Sequence, residues 1–295
     1  MKILVSGGGT GGHISPSLAV MEEIKKQDPT SKFLYIGSKT GMEARLIPEI
    51  GIPYRAINCG KFRRYHQSLL LTIVDLRTIF LNFVDFWRFL VGIFESVRII
   101  SEFKPKVIFV KGGYVGLPVG IAAFFKGIPL VIHESDSVPG ITSRILARFA
   151  KSICVSFPLE YFRDWYEKKL VFSGNPVRSD IKEGNVERAI KKFNLKEDLP
   201  VILVMGGSQG AHIINSVVLE SLKELLDRYQ VVHLSGERDY EWLRACTQDI
   251  EKHKERYKLF SFLGPELKDI YKITSLIISR AGANALSEMT TLGKA

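Results

Sequence analysis

The sequence predicts an α/β protein built from two doubly wound domains. Short apolar runs that end in glycine, such as residues 2–9 and 106–113, alternate with helix-like segments. Strands that are buried on both faces of a parallel sheet have this continuous Val, Ile and Leu composition. The alternation restarts after GNPVR at 174–178. Because 295 residues also exceed the usual size of one hydrophobic core, we predict two domains.

The individual elements follow in order from these patterns. The first domain begins with a strand and a glycine loop, and the apolar periodicity of residues 14–26 then predicts a helix. The second domain opens with a helix-like segment at 186–195. The remaining predicted strands lie at 32–37, 106–113, 129–134, 201–207, 231–236 and 275–282.

The domain boundary is predicted near Asn175 and Pro176. Proline fixes its own φ, lacks a backbone donor and favours extended backbone in the residue before it. We therefore predict domains at 1–174 and 175–295, with a cleft between them as the natural place for a ligand.

The charge is concentrated in the first domain. The chain has a formal net charge of +10, of which +9 falls on residues 1–174 and +1 on residues 175–295. A basic face attracts nucleic acid, an anionic bilayer or a phosphorylated substrate by the same Coulombic steering. Because no nucleic-acid-binding motif is present, we predict no nucleic-acid partner.

Residues 69–103 are rich in Phe, Leu and Ile, but charged residues interrupt them too often for a membrane span. An amphipathic helix or helix pair fits better. The basic cluster KFRRY at 61–65 precedes it, and a basic cluster beside an apolar face is typical of docking on anionic lipid. A core helix with a solvated basic loop is the alternative.

The three cysteines, Cys59, Cys154 and Cys246, lie far apart and in no metal-binding spacing. This usage indicates reduced thiols and a cytoplasmic compartment, and we predict no metal site. Residues 1–20 lack the pattern of a signal peptide, so we expect the mature chain to begin at Met1.

The first glycine loop, SGGGTGGH, lies between a predicted strand and a predicted helix. Its G-x-G-x-x-G spacing is compatible with a dinucleotide, but residues 37–39 offer no acidic side chain for the ribose. Backbone N–H groups and the positive end of a helix dipole suit a phosphate or pyrophosphate instead. His13 closes the loop, where an imidazole could take a proton from an incoming hydroxyl.

Three further places carry candidate residues. His133 and Glu134 end a predicted strand, so either is a second acid or base or a buried structural pair. In the second domain, GGSQGA at 206–211 offers the Ser208 hydroxyl to a phosphate. Glu288, one turn into its helix, suits a ribose ligand, or an acid that interacts favourably with the helix dipole.

Seven short motifs follow one another over the whole chain. They are GGTGGH (8–13), GMEA (41–44), GGYVGLPVGIAA (112–123), HESDSVPGIT (133–142), GNPVR (174–178), GGSQGA (206–211) and SRAGANALSE (279–288). Together they resemble the MurG family, the inverting GT-B glycosyltransferases of glycosyltransferase family 28. The resemblance implies two Rossmann-like domains facing across a cleft: an N-terminal acceptor and membrane-associating domain, and a C-terminal UDP-sugar-binding domain.

The resemblance also implies a reaction and a location. N-Acetylglucosamine passes with inversion from UDP-N-acetylglucosamine to the 4-hydroxyl of N-acetylmuramyl-pentapeptide on undecaprenyl pyrophosphate, which converts lipid I to lipid II in peptidoglycan synthesis. The expected partners are therefore UDP-N-acetylglucosamine, lipid I and an anionic membrane surface. The protein is expected at the cytoplasmic face of the membrane as a peripheral enzyme, without a cofactor or a required metal.

Site residues carry over onto the matching motifs. His13 is the candidate general base, and Glu134 is a second catalytic candidate. The other implied residues bind substrate: Thr10, Gly11, Gly12 and Asp136 on the acceptor side, and Arg178, Ser208, Leu263, Ala283, Asn284, Ala285, Leu286, Ser287 and Glu288 on the donor side, with Leu263 contacting uracil through its backbone, residues 283–287 facing the phosphates and Glu288 binding the ribose.

Two departures from the family pattern affect these expectations. Many members carry Gln and Asn where this chain has Ser135 and Asp136, so an amide donor is replaced by an acceptor. The chain also stops soon after Glu288, so we expect a truncated second domain that lacks donor-sugar contacts. Two alternatives stay open: a GT-B glycosyltransferase for another lipid acceptor such as diacylglycerol, and a nucleotide-binding remnant without turnover.

Overall fold

The computed structural model describes residues 1–9, 11–61, 76–162, 165–207 and 210–294. The chain divides into two compact units, Met1–Pro176 and Val177–Ala295. The division falls two residues beyond the predicted boundary after Gly174. Asn175 stays with the first unit because its side-chain oxygen accepts hydrogen bonds from Ser135 Oγ at 2.9 Å and Ser156 Oγ at 3.4 Å.

The first unit contains a seven-stranded parallel sheet in the order β3-β2-β1-β4-β5-β6-β7. Its strands are β1 (Lys2–Ser6), β2 (Lys32–Ser38), β3 (Tyr54–Ile57), β4 (Val107–Val110), β5 (Leu130–Glu134), β6 (Ser152–Val155) and β7 (Leu170–Phe172). The described helices are α1 (Gly11–Gln27), α2 (Met42–Glu49), α3 (Leu76–Phe103), α4 (Gly113–Phe125) and α5 (Ile141–Leu146), with 3₁₀ turns at Leu159–Phe162 and Glu167–Lys169.

Both faces of this sheet are buried, which explains the continuous apolar runs in the sequence. In β1, Leu4 belongs to the hydrophobic cluster on one face, whereas Ile3 and Val5 belong to the cluster on the other. The register places Ile3 opposite Val107 and Phe33 of the neighbouring strands. The sheet is therefore the middle layer of the unit.

The second unit contains a four-stranded parallel sheet in the order β10-β9-β8-β11. Its strands are β8 (Val201–Met205), β9 (Gln230–Leu234), β10 (Tyr257–Phe260) and β11 (Thr274–Ser279). Its described helices are α6 (Val186–Phe193), α7 (His212–Glu220), α8 (Leu222–Arg228), α9 (Tyr240–Cys246), α10 (Leu267–Ile273) and α11 (Ala283–Thr291), with 3₁₀ turns at Ser179–Glu183 and Lys254–Arg256.

Each sheet is doubly wound, as predicted. In the first, the chain enters at β1, extends through β2 and β3 on one side, and crosses to β4 on the other. In the second, it enters at β8, extends through β9 and β10, and crosses to β11. Ligands in open α/β sheets bind where the strand order reverses, at the carboxyl ends of the strands. The glycine loops after β1 and β8 lie at these two positions.

The amphipathic segment predicted at 69–103 is helical over Leu76–Phe103, as α3. Residues 69–75 of that prediction, and residues 62–65 of the basic cluster, lie outside the described part of the chain. Among the described helices, none is both long and apolar enough to cross a bilayer.

Candidate functional site

The loop after β1 begins with three glycines at 7–9, and α1 begins at Gly11. Gly9 has φ +90°, a conformation that favours glycine. A Cβ at Gly8 would overlap the carboxylate of Glu43. Gly11 and Gly12, two of the predicted substrate-binding residues, lie in the first turn of α1. Thr10, another of them, lies outside the described residues. Because residues 7–9 are all glycine, this part of the loop presents only backbone after the carboxyl end of β1.

Glu43 holds this loop in place through hydrogen bonds to its side chain. Its side chain is fully buried at 0% exposure. Its carboxylate accepts hydrogen bonds from Gly9 N at 3.1 Å, Ser38 N at 3.0 Å and Ser38 Oγ at 2.6 Å. GMEA is one of the seven sequence motifs, but no role for Glu43 was predicted from it. The signal that could have identified it is an acidic residue in the first turn of the helix that follows β2.

His13 lies in the first turns of α1 against the two glycines that follow β4. A Cβ placed on Gly112 would lie 3.6 Å from His13 Cδ2, and one on Gly113 would lie 3.5 Å from His13 Cε1. Burial, followed by the positive charge of Lys111, lowers the pKa of His13 to about 4. At neutral pH its imidazole is therefore uncharged and can accept a proton.

Lys111 directly follows β4 and is not among the residues predicted from the sequence. The pairing of Val110 with Ile132 brings it beside the end of β5. Its Nζ donates a hydrogen bond to Ser135 Oγ. Ser135 Oγ in turn donates to Asn175 Oδ1 at 2.9 Å. Burial lowers the pKa of Lys111 to about 8.

His133 and Glu134 end β5, as predicted, and their contacts are structural. Glu134 accepts hydrogen bonds from Asp136 N at 3.1 Å and from Gly140 N at 3.0 Å, so it closes the loop that follows the strand. His133 Nε2 lies 3.0 Å from Gly174 O. Burial, followed by the nearby charge of Glu134, raises the pKa of Asp136. The structure thus gathers His13, Lys111, Glu134 and Asp136 at one edge of the first sheet.

In the second unit, Glu288 and Arg178 each have a firm partner. Tyr271, which is fully buried at 0% exposure, donates a hydrogen bond from its hydroxyl to Glu288 Oε2 at 2.9 Å. Burial raises the pKa of Glu288, and Tyr271 and the charge of Arg178 oppose that shift. Arg178 pairs with Asp180 through Nε at 3.0 Å and Nη2 at 2.5 Å. Tyr271 and Asp180 were not selected from the sequence.

The other predicted donor-side residues follow β8, β10 or β11 of the second sheet in the sequence. Gly282 precedes α11 with extended backbone, so residues 283–287 form the first turns of that helix. Ser287 Oγ donates to Ala283 O at 2.7 Å. Leu263 is buried in the core of the unit. Ser208 lies outside the described residues; before and after it in the sequence, Gly207 has φ +84° and Gly210 has φ +75°.

Two domain models match the chain: the glycosyltransferase family 28 N-terminal domain over residues 3–155, and the glycosyltransferase family 28 C-terminal domain over residues 201–295. The chain belongs to glycosyltransferase family 28.

Relatives of known name support this membership. A Clostridium perfringens protein named UDP-N-acetylglucosamine--N-acetylmuramyl-(pentapeptide) pyrophosphoryl-undecaprenol N-acetylglucosamine transferase is 40% identical, over 99% of this chain and 76% of its own length. A Lachnospira eligens protein of the same name is 39% identical, over 99% of this chain and 77% of its own length.

Solved structures agree with the family 28 fold. The crystal structure of Acinetobacter baumannii MurG matches with a TM-score of 0.63 and 27% identity, over 99% of this chain and 76% of that one. The UDP-GlcNAc 2-epimerase of Neisseria meningitidis, bound to UDP-GlcNAc, matches with a TM-score of 0.65 and 17% identity, over 100% of this chain and 81% of that one, and supports the fold alone. The predicted pair of Rossmann-like α/β domains is confirmed.

The expectation of a truncated second domain is not confirmed. The family 28 C-terminal domain model matches residues 201–295, and those residues fold into a four-stranded sheet with its own hydrophobic core. Val201, Leu203 and Val232 of the central strands are fully buried in that core.

Proposed function

We propose that this chain transfers N-acetylglucosamine from UDP-N-acetylglucosamine to the 4-hydroxyl of N-acetylmuramyl-pentapeptide on undecaprenyl pyrophosphate, with inversion, in peptidoglycan synthesis. The observation that carries the proposal is the similarity, at 40% identity over 99% of the chain, to a relative that bears the name of this transferase. The chain is accordingly a hexosyltransferase that converts lipid I to lipid II.

The first unit would bind the acceptor. Backbone N–H groups of the loop at 7–12 and the positive end of the α1 dipole suit the acceptor diphosphate. Thr10, Gly11 and Gly12 would line that site. Asp136, in the loop that follows β5, would accept a hydrogen bond from the acceptor sugar.

The transfer is an in-line displacement in which His13 is the general base. The imidazole takes the proton of the acceptor 4-hydroxyl, and the hydroxyl oxygen forms a new bond to the anomeric carbon of the donor sugar. The bond between that carbon and the β-phosphate oxygen breaks, and UDP leaves with the bonding electron pair. The contacts of Glu134 support a role as anchor of the loop that carries Asp136, and its predicted part in proton transfer stays a prediction.

The second unit would bind the donor. The dipole of α11, with residues 283–287 at its start, would stabilise the charge that builds on the leaving diphosphate. Ser208 would add a hydroxyl to the same phosphates, and Leu263 would contact uracil through its backbone. Glu288, oriented by Tyr271, would accept hydrogen bonds from the ribose hydroxyls. The positive charge of Arg178 lowers the pKa of Glu288 and so favours its carboxylate form.

The α3 helix would dock the protein on an anionic membrane surface. Phe80, Phe83, Trp87 and Phe94 recur at a helical spacing that places them on one stripe, and all four are exposed. Phe94 is the most exposed, at 76%. An exposed aromatic stripe on a strongly basic domain is the composition expected of a peripheral membrane helix. The lipid-linked acceptor would place this surface at the cytoplasmic face of the membrane.

The test is UDP release from UDP-N-acetylglucosamine with and without a short-chain lipid I analogue. We expect release that depends on the acceptor and that falls at least a hundredfold in His13→Ala, since general base catalysis contributes roughly 10²–10⁴-fold. His253→Asn is the matched control, because His253 lies in the second unit at φ +61°, which asparagine tolerates.

Each other outcome is informative. Equal loss in both histidine variants would exclude His13 as the specific base. Release with diacylglycerol in place of lipid I would assign a different acceptor. Binding of UDP without any turnover would contradict the proposed transferase activity and support a nucleotide-binding remnant.

A further inference from the structure

The guanidinium group of Arg178 has a partner that the proposed reaction does not account for. Its Nε donates a hydrogen bond to Asp180 Oδ1 at 3.0 Å, and its Nη2 donates one to Asp180 Oδ2 at 2.5 Å. Two parallel hydrogen bonds between such groups fix the plane of the guanidinium group as well as its position. Asp180 therefore restrains an arginine side chain that is 39% exposed.

The 3₁₀ turn Ser179–Glu183, which carries this carboxylate, is anchored on both sides. Ile181, within the turn, is buried in the hydrophobic core of the second unit. After the turn, Gly184 packs so closely on α10 that a Cβ there would lie 2.1 Å from Lys268 O. Asp180 is thus presented by a backbone that the core and α10 hold in place.

A second cation faces Asp180 from α10. Lys268 Nζ lies 3.9 Å from Asp180 Oδ2. Lys268 belongs to the same helix as Tyr271, whose hydroxyl donates a hydrogen bond to Glu288. Two charged residues of the proposed donor site, Arg178 and Glu288, are therefore both connected to α10, one through Asp180 and the other through Tyr271.

The ion pair leaves part of the guanidinium group available. Arginine has five N–H donors, of which Asp180 accepts one from Nε and one from Nη2. Nη1 makes no hydrogen bond with the residues that the structure describes. A guanidinium group that is held on one edge and open on another suits the recognition of a further oxygen. Because Asp180 already restricts the rotamers of Arg178, less conformational freedom is lost when a ligand binds.

We infer that Asp180 is a positioning residue for donor binding, which holds the guanidinium group of Arg178 in the orientation that binds the nucleotide of the donor. The inference rests on the proposed function only for the contact between Arg178 and the nucleotide. In this arrangement Asp180 acts through Arg178 and does not itself contact the donor. Its effect on binding should therefore disappear when Arg178 is replaced.

The inference is tested by a double-mutant cycle on UDP affinity, measured by isothermal titration calorimetry with the full chain. In Asp180→Asn, an NH₂ group replaces one accepting oxygen and faces a guanidinium donor. We expect this variant to bind UDP about fivefold more weakly, and Arg178→Gln about tenfold more weakly. In the Arg178→Gln background, Asp180→Asn should change the affinity by less than about twofold.

Glu183→Gln is the matched control. It removes the same charge from the same turn, and Glu183 Oε2 lies 4.0 Å from the same Lys268 Nζ, so UDP affinity should stay at the wild-type value. In steady-state kinetics, Asp180→Asn should raise the KM for UDP-N-acetylglucosamine about fivefold and leave kcat within about twofold. A loss of folded protein would instead lower kcat and leave KM unchanged.

The inference is overturned if Asp180→Asn binds UDP as tightly as the wild type, weakens binding equally in both backgrounds, or has no more effect than Glu183→Gln. In each of these cases a loss of affinity in Arg178→Gln would leave the proposed donor site standing. UDP binding that does not change in Arg178→Gln would contradict the proposed contact and the inference together. Absence of UDP binding by the wild-type chain would contradict the proposed function itself.

Discussion

The first prediction concerns Glu43, whose buried carboxylate holds the loop after β1 in place. Substitution Glu43→Gln preserves the volume of the side chain but replaces one accepting oxygen with an NH₂ donor. Because the two oxygens accept from Gly9 N on one side and from Ser38 N and Oγ on the other, either orientation of the amide leaves at least one buried donor facing another donor.

The expected loss of stability follows from the one or more hydrogen bonds that are lost in either orientation of the amide. A hydrogen bond to a charged group contributes about 1.5–3 kcal/mol, and an orphaned buried donor adds to the cost. We therefore expect the first unit to lose about 2 kcal/mol in its free energy of unfolding, which is a fall of about 6 °C in its midpoint of thermal unfolding. The KM for the lipid acceptor should rise by about tenfold, since 1.4 kcal/mol corresponds to a factor of ten in affinity.

Hydrogen exchange measured by mass spectrometry resolves the two units, because each peptide reports on its own region. Amides of residues 2–9 and 32–38 should exchange faster in Glu43→Gln, whereas those of β8 in the second unit should not change. Glu49→Gln, an exposed position at the end of the same helix, is the matched control. If the two variants have the same exchange and the same acceptor KM, Glu43 does not hold the loop.

Two further predictions concern the donor site and the membrane surface. Tyr271→Phe removes the hydroxyl that donates to Glu288 at 2.9 Å, so the pKa of Glu288 should rise further and the KM for UDP-N-acetylglucosamine should rise about tenfold. Tyr257→Phe in the same unit is the control, and equal KM values in the two variants would contradict the prediction. Phe94→Ser should weaken binding to vesicles that contain anionic lipid by roughly 30-fold, about 2 kcal/mol, because it removes an exposed aromatic ring from α3. Ile213→Ser in the second unit should have no effect, and unchanged binding in Phe94→Ser would exclude α3 as the docking helix.

The sequence was most informative where one element determines the result. The continuous apolar runs of β1, β4, β5 and β8 predict strands that are buried on both faces. The structure confirms them because hydrophobic clusters cover both sides of the first sheet and both sides of β8 in the second. His13 was predicted as a candidate for a similar reason: it closes a glycine loop within one strand-turn-helix unit. Its place beside the loop needs no knowledge of distant residues.

The contacts that set the chemistry are mostly between elements far apart in the sequence. Lys111 and Ser135 are 24 residues apart, Gly9 and Glu43 are 34 apart, and Tyr271 and Glu288 are 17 apart, so no local pattern connects them. Lys111 meets Ser135 because β4 and β5 pair with Val110 opposite Ile132. A shift of that register by one residue would direct Lys111 to the other face of the sheet.

The sequence by itself determined the α/β class, the two domains, the glycine loops at the ends of strands and the resemblance to a glycosyltransferase family, because each depends on residues close together in the chain or on motifs in a fixed order. Only the tertiary structure decided which polar groups face one another. It made Glu134 a loop anchor, gave Glu288 a tyrosine partner and packed Gly112 and Gly113 against the imidazole of His13. Those outcomes depend on strand register and burial, which arise only when the whole sheet assembles.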